Sequence, residues 1–193
     1  MRYFRSMRVY LFLILASLAA PAGAEPRAYA LEPEISTVAF FYTLSGERRQ
    51  GRMPVRDAKI LLDLDNASAS RVEAVLAPDQ ANAGLSFATD AMRSESVLNT
   101  RRYPSITFKS SRVTETATGA FLEGDITIRG VTRPIRLTAT VFRQRGTERG
   151  DRRRLSILMT GTISRRDFGA VGFPRLVGDR IELKILTRIR RIN

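Results

Sequence analysis

GDITIRGVTRPIRLTATVF, residues Gly124 to Phe142, is the stretch on which the fold turns. Ile126 and Ile128 fall on one face of an extended segment, with Asp125, Thr127 and Arg129 on the other. Ile135, Leu137, Ala139 and Val141 then share a face, opposite Arg136, Thr138 and Thr140. Alternation with period two on both sides of a Gly- and Pro-containing turn predicts an antiparallel hairpin with one buried face. A helix would need apolar residues three and four apart, and the stretch lacks that spacing.

The same code recurs along the chain. Arg27 to Leu31 reads as an edge strand broken by Glu32-Pro33-Glu34. Thr37 to Leu44 puts Val38, Phe40, Tyr42 and Leu44 on one face, and Ser45 to Gln50 reads as a polar turn. In Lys59 to Asp65, Ile60, Leu62 and Leu64 alternate with Leu61 and Asp63. Val72, Ala74 and Leu76 line a further strand that stops before Pro78. Ser86 to Asn99 loses alternation and predicts one or two short helices, with Ser86 and Ser94 as candidate N-caps. After Tyr103-Pro104, Ile106 and Phe108 alternate with Thr107 and Lys109, and Thr114 to Gly119 reads as a turn. Leu155, Ile157, Met159 and Ile163 follow a charged loop from Arg145 to Arg154. The final strand, Arg180 to Arg190, turns Ile181, Leu183, Ile185 and Ile189 to one side. Closely spaced strands with one polar face each predict an antiparallel sandwich or closed barrel around a single interior. Closure removes exposed edges, which favours the barrel.

The N-terminus reads as a secretory signal peptide. Arg2, Arg5 and Arg8 precede an apolar run from Val9 to Ala20, and Ala22-Gly23-Ala24 offers a cleavage site. The run is shorter than the roughly 20 residues a membrane-spanning helix needs. Cleavage after Ala24 would leave 193 − 24 = 169 residues as one domain, 25–193. With no Cys there is no disulfide and no lipid-modified N-terminal Cys, so the expected product is released and soluble, periplasmic or extracellular.

The net charge is +13, or +10 without the three signal-peptide arginines, and it is spread along the chain. That leaves solubility, an acidic partner or transient contact with an anionic membrane surface as its use. Nucleic acid is not expected, because Phe40, Tyr42 and Phe108 do not alternate with Arg on an exposed strand face. Without His or Cys the chain cannot assemble a Ser-His-Asp or Cys-His apparatus or the usual zinc, copper or haem sites. No P-loop or dinucleotide fingerprint is present, so neither cofactor nor enzymatic activity is expected. Asp63 and Asp65 share the outward face of their strand and read as solvated charge.

The predicted interior is aliphatic, with Phe40 and Phe108 added, and it includes small residues at Ala74, Ala120, Gly124, Ala139 and Gly161. A barrel of eight strands is either filled by its own side chains or holds one small ligand, and periodicity does not separate the two.

The order of motifs resembles the YceI-like family of exported lipid- or polyisoprenoid-binding proteins. Ser36-Thr37-Val38-Ala39-Phe40 is similar to its first motif, and LNTRRYPSITFK, Leu98 to Lys109, to its strand entry after the helical insertion. GDITIRGVTRPIRL is similar to its central hairpin. SRRDFG, Ser164 to Gly169, followed by Val177-Gly178-Asp179, is similar to its C-terminal end. The resemblance implies an all-β, eight-stranded antiparallel lipocalin-like barrel with a short helical insertion near 86–99. It also implies an elongated apolar cavity for an isoprenoid or other long-chain lipid. Phe40, Tyr42, Leu62, Phe108, Ile126, Ile128, Leu137, Ile157 and Ile185 are the expected cavity lining. Phe168 is expected as a turn anchor, or else as a plug at one end. Ile35 and the region of Leu44 stand where the family commonly has His, and Ala81 to Met92 lacks its usual acid-base-His run. The alternative is a filled barrel acting as a stress or partner-binding protein that docks through its basic surface.

Overall fold

The computed structural model describes residues 25–192, apart from 145 and 149. The predicted signal peptide, 1–24, lies outside the described residues. Ten strands carry the chain: β1 (Arg27–Leu31), β2 (Thr37–Leu44), β3 (Glu47–Met53), β4 (Val55–Leu62), β5 (Arg71–Leu76), β6 (Ile106–Thr116), β7 (Gly119–Ile128), β8 (Val131–Arg143), β9 (Arg154–Ser164) and β10 (Arg180–Arg191). One α-helix, α1 (Ser86–Arg93), lies between β5 and β6.

All ladders are antiparallel, and the sheet closes. From β4 to β10 each strand hydrogen-bonds the next, and β1 bridges β4 to β10. The hairpin β2–β3 extends the same ring. β2 continues along β10 from where β1 stops, after the 3₁₀ turn Pro33–Ile35, and β3 continues into β4 across Pro54. The ring therefore has eight staves, two of them broken by prolines that cannot donate to a ladder.

The hairpin β7–β8 forms as its alternation predicts, with Ile126 facing Arg133 and Leu122 facing Leu137 across the ladder. Its two turn residues, Arg129 (φ 53°) and Gly130 (φ 74°), are both left-handed. This is the turn whose twist matches that of the strands it joins. Ser45 (φ 50°) and Gly46 (φ 85°) make the same turn between β2 and β3. The turn predicted over Ser45 to Gln50 is therefore only two residues long, and β3 begins at Glu47.

The sequence hides β3 because ERRQGRM offers little hydrocarbon of its own. The turn predicted over Thr114 to Gly119 is likewise confined to Ala117 and Thr118. A bulge between Ser110 and Arg112 breaks the parity of β6, which then runs on to Thr116.

In the insertion only α1 is α-helical. Leu85 occupies its N-cap and makes no side-chain cap. Ser94, a candidate N-cap, ends the helix instead, its hydroxyl donating to the Ala91 carbonyl at 2.7 Å. α1 and the segment 170–178 cover one end of the barrel. The segment just after α1 accepts a hydrogen bond from the Gly172 N–H at the Ser96 carbonyl (2.8 Å), and Arg129 of the β7–β8 turn donates to the carbonyls of Glu95 and Val97 at 2.6 Å. At the opposite end Tyr29, Ile60, Leu62, Leu155, Ile157 and Ile189 pack together.

Candidate ligand cavity

Between these two ends the barrel is hollow. A cavity of about 610 Å³ runs along its interior, within the usual size of small-molecule sites. Every strand that turns alternate residues inward contributes to the wall. Phe40, Tyr42, Leu62, Phe108, Ile126, Ile128, Leu137, Ile157 and Ile185, the residues expected there, all stand on it. Alternation turns them inward because each sits in an unbroken run of its strand.

The small residues divide into two kinds. Ala74, Ala120 and Ala139 are on the wall and leave the space that makes the cavity. Gly124 and Gly161 do not, because the Lys109 carbonyl with the Phe108 ring, and the Leu137 side chain, lie where their Cβ atoms would be. At those two positions the missing side chain is replaced by a neighbour, so they add no room.

Most polar groups along the wall are engaged by the protein; Glu115 and Thr118, exposed beside the β6–β7 turn, are not. The Tyr42 hydroxyl donates to the Ala83 carbonyl at 2.7 Å, and burial pushes its phenol pKa up. Thr187 donates to the Ile157 carbonyl. Arg165 is only 6% exposed. Its guanidinium donates to the carbonyls of Gly178 (3.0 Å), Gly172 (2.8 Å), Val177 (2.9 Å) and Ala170, tying the covering segment 170–178 to the end of β9. Burial lowers its pKa, and the neighbouring Arg166 acts in the same direction. A ligand in the cavity therefore meets hydrocarbon over almost its whole length.

Asp63 differs from its expected place. It is 5% exposed and stands on the cavity wall. The strand ends at Leu62, so the parity that would turn Asp63 outward no longer applies. Its Oδ1 accepts the N–H groups of Asp65 (2.9 Å) and Asn66 (2.8 Å), closing the turn, while Oδ2 is buried without a partner among the described residues. Asp65 does face outward. Arg152 donates two hydrogen bonds to its carboxylate, at 2.6 and 2.8 Å, and these hold its pKa below the usual range.

The covered end is the one that periodicity could not reach. Phe87 of α1, together with Phe173 and Leu176, lies on the cavity wall and is at the same time exposed (61%, 43% and 52%). These side chains mark a mouth. Arg165 was legible in principle, since it continues the inward spacing of Leu155, Ile157, Met159 and Ile163. The loop residues carried no such signal. Phe168 is buried in the core cluster that also holds Ile106, Ile128 and Leu137, is followed by the left-handed Gly169, and so anchors its turn. Of the positions where the resemblance expects His, Ile35 is exposed and off the cavity wall, whereas Leu44 is on it.

The family model of the YceI-like domain matches residues 29–189. Protein YceI of Escherichia coli and that of Shigella flexneri are each 29% identical over 112 residues, 58% of this chain and 58% of theirs. The match thus spans little more than half the length of these relatives. BcnA of Burkholderia cenocepacia superposes with a TM-score of 0.73 at 16% identity, covering 82% of this chain and 99% of its own. A polyisoprenoid binding domain from Saccharophagus degradans, implicated in plant cell wall breakdown, superposes with a TM-score of 0.61 at 13% identity. It covers 86% of this chain and 99% of its own. At these identities the two structures establish the barrel.

Proposed function

We propose that this chain, which belongs to the YceI-like domain family, is an exported carrier that holds the apolar chain of a polyisoprenoid or similar lipid inside its barrel. The observation that carries the reading is the cavity itself. It runs along the barrel interior, its wall is mostly hydrocarbon, and of the polar side chains on it Tyr42, Ser70, Arg165 and Thr187 are engaged by the protein, while Glu115 and Thr118 stand exposed beside the β6–β7 turn. Burying a methylene there is worth roughly 0.8 kcal/mol, so affinity comes from chain length. The Saccharophagus neighbour, a polyisoprenoid binding domain, supports the ligand class.

The reading is of storage or transport, and not of catalysis. The wall carries no His or Cys, and its interior arginine is fully committed to backbone carbonyls. The hollow interior also weighs against a filled barrel that acts only by docking a protein partner. The signal-peptide pattern supports a periplasmic address, and N-terminal sequencing of exported protein should begin at Glu25.

The deciding experiment is mass spectrometry of an organic extract from protein purified without detergent. A prenyl lipid in stoichiometric amount is the expected result. An empty extract, together with no uptake of prenyl alcohols by the purified chain, would refute the carrier reading.

A further inference from the structure

The cavity mouth is also the most apolar exposed part of its end of the barrel. Phe87, Phe173 and Leu176 are on the wall and in solvent at once, and Val171 beside them is exposed as well (56%). Apolar side chains that line a site and yet project from it mark an interaction surface. Arg175 sits between Phe173 and Leu176, and Arg101 and Arg102 lie on the same end, where Tyr103 packs against the β7–β8 turn at Gly130. All three arginines are exposed, and none forms an ion pair among the described residues. Among the described residues Arg93 and Arg129 at this end also lack a carboxylate partner, since they donate to backbone carbonyls, so the carboxylates without an ion pair are fewer than the arginines. Glu47, Asp79 and Asp179 are paired with Arg49, Arg56 and Arg166, which leaves Asp90, Glu95 and Asp167.

We propose that this end of the barrel docks mouth-first onto an anionic phospholipid bilayer. Phe87, Phe173 and Leu176 enter the boundary between headgroups and acyl chains, and Arg101, Arg102 and Arg175 engage lipid phosphates. The inference rests on the lipid-carrier reading and adds where the lipid is exchanged. Apolar insertion beside basic side chains is how a protein lies on an anionic membrane without spanning it. Here the inserted residues are themselves cavity wall, so a docked barrel gives a lipid chain an unbroken apolar path from bilayer to interior. A second copy of the chain would meet the same arginines and be repelled, and an acidic protein would leave the apolar rim unexplained.

The test is co-sedimentation of the full mature chain with vesicles of phosphatidylcholine alone and of phosphatidylcholine mixed with phosphatidylglycerol. Binding to the mixed vesicles should exceed binding to the neutral ones by about tenfold or more and fall with added salt. Replacing the three arginines together (R101S/R102S/R175S) should abolish that preference. Because none of the three lines the cavity, the same variant should still take up a prenyl alcohol in vesicle-free solution. The rim variant F87S/F173S/L176S should lose binding to both vesicle types. Equal binding to the two vesicle types, binding unchanged in either variant, or self-association through these residues in place of vesicle binding would overturn the docking proposal. Vesicle binding by a chain that takes up no prenyl alcohol would uphold the docking and refute the carrier reading.

Discussion

The Phe40 ring occupies the place that a side chain at Gly51 would take, and the two residues face each other directly across the β2–β3 ladder. The stave that looks too polar to be a barrel strand is thus roofed by its neighbour's aromatic ring. Gly51→Ala would drive a methyl group into that ring and toward the Asn82 carbonyl. Such crowding costs about 1–3 kcal/mol. A lower urea midpoint is expected, together with weaker uptake of prenyl alcohols as the ring is displaced into the cavity.

Ala139 is a buried wall residue, paired with Met159 on one side and Ala120 on the other. Ala139→Phe fills part of the cavity without adding charge. Across a series of prenyl alcohols the wild type should gain up to roughly 0.8 kcal/mol per added methylene until the cavity is full. The variant should reach its limit at a shorter chain. Calorimetric titration reads both limits, and an affinity that followed headgroup charge instead would contradict an apolar cavity.

Arg165 satisfies four carbonyls, those of Ala170, Gly172, Val177 and Gly178. Arg165→Met leaves them unpaired, and the expected loss of stability is about 3 kcal/mol. Amide exchange should accelerate first in 170–178. Arg165→Lys, with a single ammonium in place of the planar fork, should recover only part of the loss.

Asp179 sets an acid limit on the same end. Burial works to raise its pKa, but a hydrogen bond from the Ser164 hydroxyl, the Arg166 N–H and the charges of Arg166 and Arg165 outweigh it, so the net shift is downward. A depressed carboxyl stabilises the fold above its unfolded pKa of roughly 3.9 and loses that contribution as pH falls through the lower folded value. Denaturation followed against pH should therefore show a step below about pH 4 that is missing in Asp179→Asn.

The sequence made the barrel legible where each strand supplies its own hydrocarbon, as β7 and β8 do, and where a two-residue turn leaves parity intact. It was opaque where one strand borrows from another, as β3 borrows Phe40. It was also opaque past the β6 bulge, and at Asp63, where the strand stops one residue too soon for alternation to hold. The wall was readable because it is made of strand interiors. The mouth was not, because it is assembled from α1 and 170–178, segments distant in sequence and without a periodic signal.

The seam that closes the ring joins Tyr29 and Leu31 to Arg191 and Ile189, so the barrel's first described stave is paired with its last. In kinetic terms, no early portion of the chain can shut the barrel on its own. Until β10 arrives, both β9 and the β1–β2 stave stand as open edges. Contacts so distant along the chain make for slow folding, in the millisecond-to-second range typical of all-β topologies. A polypeptide with such a seam completes its barrel only when its final strand is available, which would suit the export proposed above.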